Sequence, residues 1–285
     1  MLSFITWTAD PVAFTIPFIE RDVRWYGIAF ALGFLLGLRI VRKIWKHEQL
    51  NEDWYDKLFI YVVIATAVGA RLGHCLFYGA DGDFWYYYKH PFEIIKIWEG
   101  GLASHGGTLG IIIAIWIYSK KVTHKSLLWT FDRLVVPVGF VAALIRFGNL
   151  MNHEIYGHAT NLPWAFRFIE NIPYWERGAI PIFSEPSHPT QLYEAFFYIL
   201  TAFVCLWMYW KREDYKSPGL IFGVFLIGIF LSRFFIEFFK EIQVGFEEGM
   251  LLNMGQLLSL PFIIAGIWFA SNGLREKKKS LAKNG

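Results

Sequence analysis

Seven apolar runs, each about 20 residues long, limit what this chain can fold into more than any other feature. They cover residues 23–41, 58–77, 102–118, 127–151, 189–210, 219–239 and 251–269. Backbone N–H and C=O groups in lipid must be satisfied within the span, which favours helices of this length. A membrane β-barrel would show alternating segments of about 10 residues. The sequence lacks such segments and predicts an all-α integral membrane protein, with about seven transmembrane helices in one polytopic domain over residues 1–285.

The distribution of positive charge predicts how these helices are oriented. Charged residues make up only 18% of the chain, and 15 of its 27 Lys and Arg residues lie in residues 42–57, 120–125, 211–216 and the tail from residue 275. Cytoplasmic loops carry the excess of Lys and Arg. We therefore expect these four segments in the cytoplasm, the N-terminus outside and the C-terminus inside. The net charge of +3 gives no reason to expect a nucleic-acid partner.

The opposite loops contain the longest connection, residues 152–188, with four prolines and two tryptophans. Long ordered loops are often functional, and this one is predicted to form a small extracytoplasmic cap. The aromatic run at residues 84–88 is typical of a membrane interface.

Small residues inside the apolar runs have a structural explanation. Glycine pairs four residues apart predict close helix packing, and they occur at Gly33 and Gly37, Gly69 and Gly73, Gly106 and Gly110, and Gly219 and Gly223. The two cysteines, Cys75 and Cys205, lie in apolar runs and are expected to be small buried residues.

Ionisable side chains within spans are costly, so each is a candidate for function. Arg146, Asn149 and Asn152 or His153 share one helix face at three- and four-residue spacing, and Glu154 follows. The structural alternative is a buried ion pair of Arg146 with Glu237. Arg233 and Glu237 are four residues apart, which also permits a local ion pair.

Two histidines lie at span ends on the predicted outer side. His105 stands between glycines, which let a ligand approach the backbone closely. His188 precedes Pro189, and the structural alternative is that His188 or Thr190 caps the following helix.

Arginines at the predicted headgroup level favour a phosphate ligand, because guanidinium binds phosphate in a bidentate manner. The simplest phosphate resident in a membrane is a phospholipid headgroup. The sequence has no zinc-protease, P-loop or dinucleotide motif, so neither a metal nor a cofactor is expected.

The motifs that contain these residues closely resemble those of the prolipoprotein diacylglyceryl transferase family. They are Arg-Trp-Tyr-Gly at residues 24–27, Gly-Gly-Leu-Ala-Ser-His-Gly-Gly at 100–107, Arg-Phe-Gly-Asn at 146–149 with Asp132, Asn152, Glu154 and Gly157, His-Pro-Thr-Gln-Leu-Tyr-Glu at 188–194, and Arg233 with Glu237. Because several motifs recur in order along most of the chain, the resemblance is specific.

The resemblance implies transfer of the diacylglyceryl group of phosphatidylglycerol to the lipobox cysteine of a preprolipoprotein signal peptide. Glycerol phosphate would be released, and the location would be the bacterial plasma (inner) membrane. We expect His105 to be the base and Arg146 and Arg233 to stabilise the leaving phosphate. The expected supporting residues are Tyr26, Asn149, Asn152, Glu154, Gly157, His188 and Glu237.

Three alternatives stay open at this point. His188 is the second candidate for the base. A phospholipid transporter or channel would explain the arginines and the number of spans, but it would not require a glycine-framed histidine. A structural scaffold would leave the polar helix face unexplained.

Overall fold

The computed structural model describes residues 4–18, 20–79, 83, 85–96, 101, 103–241 and 250–284, which are mostly helical. The helices are α1 Trp25–His47, α2 Glu52–Phe77, α3 Tyr86–Lys89, α4 Ser104–Tyr118, α5 Leu127–Leu134, α6 Val138–Met151, α7 Ile172–Trp175, α8 Thr190–Trp210, α9 Leu220–Ile236 and α10 Met254–Asn284. The strands are β1 Ile5–Thr6, β2 Val12–Ile16, β3 Arg21–Arg24 and β4 Phe166–Arg167. Short 3-10 turns cover Pro91–Ile95, Asp214–Lys216 and Glu237–Phe239, and a π turn covers Ser119–Thr123.

Helices lie at all seven apolar runs, but the described residues contain only four or five candidate membrane spans. Four are long and apolar enough alone, namely α2, α8, α9 with its 3-10 turn, and α10, and the pair α5 and α6 would make the fifth. At 1.5 Å per residue, the 15 residues of α4 reach about 22 Å, and the π turn Ser119–Thr123 continues directly from them. The number seven therefore stays a prediction.

The fourth apolar run is a bent pair of helices rather than one straight span. The axes of α5 and α6 differ by 51°, and Pro137 directly precedes α6. Proline cannot donate a backbone hydrogen bond, and it disfavours helical geometry in the residue before it. This explains the break.

The chain divides into two compact units, Met1–Val41 with Phe131–Gly285, and Arg42–Thr130. In the first unit α8 packs against α6 and α9, and α10 packs against α9. The carboxylate of Asp132 on α5 accepts the N–H groups of Gly219 (2.6 Å) and Phe222 (2.8 Å), so it caps the start of α9. Gly219 has a φ of 90°, which glycine adopts without strain, whereas Gly223 packs against Gly266 of α10.

In the second unit α2 and α4 cross closely at their glycines. A Cβ added to Gly69 would lie 2.5 Å from the carbonyl oxygen of Gly106, so larger residues would separate the helices. Gly73 packs against Gly106 in the same way, so the predicted role of Gly69 and Gly73 in close helix packing is confirmed. The buried guanidinium of Arg71 on α2 donates to the carbonyl oxygens of Glu93 (2.6 Å) and Ile94 (3.0 Å), which holds the 3-10 turn Pro91–Ile95 against α2.

Residues 152–188 form an ordered segment whose small apolar core is shared with α6 and the N-terminal residues. Phe166 and Phe168 pack on Leu150, with Trp7 and Tyr156 at the edge. β4 in this segment pairs in parallel with β1, and β2 pairs with β3 in an antiparallel hairpin. The all-α expectation is therefore too simple, because these strands accompany the helices. The extracytoplasmic location of the segment stays a prediction.

Both cysteines are buried, with 2% exposure for Cys75 and none for Cys205, as their apolar surroundings predict. Phe84 of the aromatic run and Gly100 and Leu102 of the histidine motif lie outside the described residues.

Candidate active site

The polar face predicted around Arg146 is a hydrogen-bonded network at the end of α6. The Nη1 group of Arg146 donates to Oδ1 of Asn149 at 3.0 Å. The amide groups of Asn149 and Asn152 both donate to Oε1 of Glu154, at 2.8 and 3.2 Å. The structure therefore brings these four predicted residues together, with Asn149 buried and Glu154 exposed.

His153 does not share that face, because the helix ends at Met151 and the φ of His153 is 56°. Its Nε2 lies 2.9 Å from the carbonyl oxygen of Ala9, and its Nδ1 accepts the N–H of Ile169 at 3.0 Å. The ring is thus the neutral tautomer with hydrogen on Nε2, and burial lowers the pKa of His153. This histidine connects residues 152–188 to the N-terminal segment.

Arg146 pairs with Glu194 of α8, and not with Glu237 as the structural alternative expected. Its Nε lies 2.6 Å from Oε2 of Glu194, with side-chain exposures of 15% and 0%. The other carboxylate oxygen of Glu194 accepts the hydroxyl of Tyr198 at 3.3 Å. The expectation failed because sequence spacing cannot show which span faces α6.

Arg233 is connected to the same cluster through Glu237 and Lys240. The local pair of Arg233 and Glu237 is confirmed at 3.5 Å. The ammonium of Lys240 lies 3.0 Å from Oε1 of Glu237 and 3.0 Å from Oε1 of Glu194. The five side chains thus form one row of alternating charge, which we call the ion-pair chain: Arg146, Glu194, Lys240, Glu237 and Arg233.

The ion-pair chain carries three cations and two carboxylates, so its formal charge is +1. Its interior members are almost fully buried, with 0% exposure for Glu194, 4% for Lys240 and 9% for Glu237. The two arginines stand at its ends, and Arg233 is 36% exposed. An excess positive charge at the ends of a buried network suits an anionic ligand.

Two members of this chain were missed as candidates from sequence. Glu194 belongs to the motif at residues 188–194, and Lys240 directly follows the sixth apolar run, residues 219–239. A signal for Glu194 existed, because it is an ionisable residue inside an apolar run. For Lys240 the signal was its place three residues after Glu237.

Gly157 positions the backbone next to Lys240. It forms an antiparallel bridge with Lys240, and the next N–H, of His158, donates to the carbonyl oxygen of Phe239 at 3.0 Å. A Cβ at Gly157 would lie 2.0 Å from that oxygen. Only glycine permits this approach, which gives the predicted Gly157 a structural reason.

Two further contacts complete the surroundings. Tyr26 of α1 lies against α6, where a Cβ at Gly148 would meet its ring at 2.7 Å. At the start of α10, a Cβ at Gly255 would lie 2.4 Å from the carboxyl carbon of Glu237. Sequence motifs pointed to Tyr26 but not to Gly255.

The expectation that His188 or Thr190 caps α8 is wrong. Thr190 Oγ1 donates to the carbonyl oxygen of Ile155 at 2.7 Å, and α8 begins without a side-chain cap. His188 is buried, and its Nδ1 lies 3.2 Å from the hydroxyl of Tyr193, which itself accepts the indole N–H of Trp164. Burial, with a smaller contribution from His158, lowers the pKa of His188.

His105 lies in the other unit, in the first turn of α4, and its side chain is exposed. The glycine that follows it serves packing against α2, because a Cβ at Gly106 would lie 2.2 Å from the carbonyl oxygen of Gly69. This packing accounts for part of the glycine framing that sequence reasoning attributed to ligand approach.

The candidate spans and the buried ion-pair chain define a helical membrane protein with a site suited to an anionic ligand. The family model for prolipoprotein diacylglyceryl transferase matches residues 11–271, and the chain belongs to this family.

Relatives named phosphatidylglycerol–prolipoprotein diacylglyceryl transferase cover nearly the whole chain. The protein from Porphyromonas gingivalis is 54% identical over 93% of both chains. The protein from Chloroherpeton thalassium is 43% identical over 93% of this chain and 92% of its own. The protein from Tolumonas auensis is 42% identical over 96% of this chain and 99% of its own.

Proposed function

We propose that this protein transfers the diacylglyceryl group of phosphatidylglycerol to the lipobox cysteine of preprolipoproteins, the first step of bacterial lipoprotein maturation. The family match over residues 11–271 and relatives up to 54% identical support this activity. The observation that carries the proposal is the ion-pair chain, with an arginine at each end and an excess of one positive charge.

Both arginines have donors left for a phosphodiester. A guanidinium carries five N–H donors. Arg146 directs Nε to Glu194 and Nη1 to Asn149 and also hydrogen-bonds to Tyr198, whereas Arg233 directs Nε towards Glu237. Glu194 and Glu237 orient the arginines, and the remaining N–H groups would bind the headgroup phosphate.

In the proposed reaction the cysteine sulfur forms a bond to the glycerol carbon while the bond from that carbon to the phosphate oxygen breaks. The thiol has a pKa of about 8.5 when free, so a base must accept its proton. Glycerol phosphate leaves with one more negative charge, which Arg146 and Arg233 would stabilise. The proton then passes to the released phosphate or to water.

For the base we favour His105 over His188. The imidazole of His105 is exposed, whereas the ring of His188 is buried and hydrogen-bonded to Tyr193. Asn149, Asn152 and Glu154 would orient Arg146, and Tyr26, Gly157 and Glu237 would support the substrate site. A His105→Gln variant with normal turnover would overturn the role of His105 and leave the activity in place.

The proposed setting is the bacterial plasma (inner) membrane, with the N-terminus outside and the C-terminus in the cytoplasm. Residues 152–188 would then form the extracytoplasmic cap, and seven helices would cross the bilayer. One contact agrees with this arrangement: Lys277 near the C-terminus pairs with Asp214, in a segment expected on the same side. The ion-pair chain lies at the other end of α8, where Glu194 is five residues into the helix.

The test is thiol lipidation in proteoliposomes that contain the purified protein, phosphatidylglycerol and a lipobox peptide, with the peptide mass as the readout. We expect the diacylglyceryl adduct with wild-type protein, and its loss with Arg146→Ala and Arg233→Ala. Arg233 is the less buried of the two, so its variant keeps the test valid if Arg146→Ala does not fold. The exposed Lys279→Ala is the matched control for loss of a positive charge.

A missing adduct with folded wild-type protein would refute the proposal. The next measurement would then be phospholipid movement between the leaflets, which tests the transporter alternative.

A further inference from the structure

We infer that Lys240 is a positioning residue that keeps the two arginines of the phosphate site aligned. This inference rests on the proposed function, since it concerns the same reaction. Its basis is the place of Lys240 at the centre of the ion-pair chain, 3.0 Å from a carboxylate oxygen on either side.

The burial of Lys240 favours a role in positioning the arginines over direct binding of the phosphate. Its side chain is 4% exposed, and its ammonium is occupied by Glu194 and Glu237. The two arginines are more exposed, at 15% and 36%. A phosphate would therefore meet Arg146 and Arg233, and Lys240 would act on it only through the carboxylates.

The backbone holds Lys240 in place independently of any ligand. Its bridge with Gly157 and the hydrogen bond from His158 to Phe239 anchor the end of the 3-10 turn. These backbone contacts place the ammonium of Lys240 between the two carboxylates. A buried lysine is costly unless it is paired, and here it is paired with two carboxylates.

Removal of the ammonium would disturb both arginines at once. The two carboxylate oxygens lie 3.0 Å from the same nitrogen, so they are at most about 6 Å apart, where like charges repel strongly in a buried site. Glu194 and Glu237 would move apart, and each would carry its arginine with it. A misplacement of about 1 Å is enough to reduce turnover on the order of 100-fold.

The experiment compares Lys240→Met with Lys240→Arg in the proteoliposome lipidation assay, over a range of phosphatidylglycerol fractions. Methionine matches the length of the lysine stem without its charge, and arginine keeps the charge and can donate to both carboxylates. Both kcat and the apparent KM are measured, and thermal unfolding of each purified variant reports on folding. Lys279→Met, at an exposed helix position, is the matched control.

We expect Lys240→Met to lower kcat/KM on the order of 100-fold, and Lys240→Arg to recover activity to within about tenfold of wild type. A stable Lys240→Met variant with unchanged kcat and KM would overturn the positioning role. So would a Lys240→Met variant whose folded fraction works normally while only its thermal stability falls.

A second variant pair keeps the inference testable if Lys240→Met is poorly folded. Glu237→Gln and the double variant Lys240→Gln/Glu237→Gln are compared with Lys240→Gln alone. If both residues act through one network, the loss in the double variant is smaller than the product of the single losses. Losses that multiply would mean independent roles and overturn the inference. Wild-type protein without any adduct would instead refute the proposed function itself.

Discussion

Replacement of Glu194 by Gln is the perturbation that most directly tests the ion-pair chain. The carboxylate of Glu194 is fully buried and has Arg146 at 2.6 Å and Lys240 at 3.0 Å. Glutamine keeps the shape but removes the charge. Its amide hydrogens would also face a donor, either the guanidinium or the ammonium. Arg146 would keep its hydrogen bonds to Asn149 and Tyr198, which carry no charge.

Two independent estimates give a similar cost for this change. The attraction between unit charges about 4 Å apart is about 4 kcal/mol at an effective dielectric constant of about 20. Removal of one partner from a buried ion pair typically costs about 3–5 kcal/mol. For a chain of this size, such a loss corresponds to a decrease in Tm of roughly 10 °C. We also expect transferase activity to fall at least about tenfold, because Arg146 loses the group that orients it.

The assay is thermal unfolding of the detergent-solubilised protein, followed by the fluorescence of its tryptophans, together with the lipidation assay. Glu154→Gln is the matched control, because that carboxylate is exposed and accepts hydrogen bonds from the two uncharged amides of Asn149 and Asn152. It should change Tm by no more than about 2 °C. An equally small change for Glu194→Gln, with activity above half of wild type, would refute the proposed energetic role of this ion pair.

Three further predictions concern the surroundings of the site. Gly157→Ala places a Cβ 2.0 Å from the carbonyl oxygen of Phe239, so we expect a stability loss of about 1–3 kcal/mol in thermal unfolding and nearly complete loss of lipidation. Asp132→Asn replaces one carboxylate oxygen that accepts an N–H at the start of α9, and we expect a loss of about 1–2 kcal/mol with little change in the KM for phosphatidylglycerol. Burial lowers the pKa of His153, so the native state binds fewer protons than the unfolded chain, and Tm should fall as the pH decreases below about 6.5.

Each of these predictions has a control. Gly27→Ala is the control for Gly157→Ala, because a Cβ at Gly27 would meet nothing within 4 Å and the change adds neither a clash nor a strained φ. Asp132→Glu keeps the negative charge but moves the carboxylate away from the N–H groups of Gly219 and Phe222. It therefore distinguishes loss of the helix cap from loss of the charge. His153→Gln should flatten the decrease of Tm with pH, and an unchanged slope would show that other groups cause it.

Much of the candidate site could be predicted from sequence because its members lie close together along the chain. Arg146, Asn149, Asn152 and Glu154 fall within nine residues, and helical spacing places three of them on one face. Arg233 and Glu237 are one helical turn apart, and they pair as expected. Local geometry was sufficient in both cases.

Contacts between distant segments could not be predicted in this way. The structural alternative expected Glu237 as the buried partner of Arg146, but α8 presents Glu194 to it. Lys240 was not a candidate from the sequence, and the structure places its ammonium between two carboxylates. The short strands at Ile5–Thr6 and Phe166–Arg167 pair across 161 positions, with too few residues for a period-two pattern to appear.

The amino-acid sequence by itself determined that this is a helical membrane protein, which family it belongs to, and which arginines are candidates for a phosphate site. These conclusions depend on hydropathy and on motifs, and both are properties of neighbouring residues. Only the tertiary structure decided how the charges are paired. Helix packing brings together side chains that are far apart in the sequence, such as Arg146 and Lys240, which both contact Glu194. In that low-dielectric interior each charge requires a partner, and the packing of α6, α8 and α9 selects which one it receives.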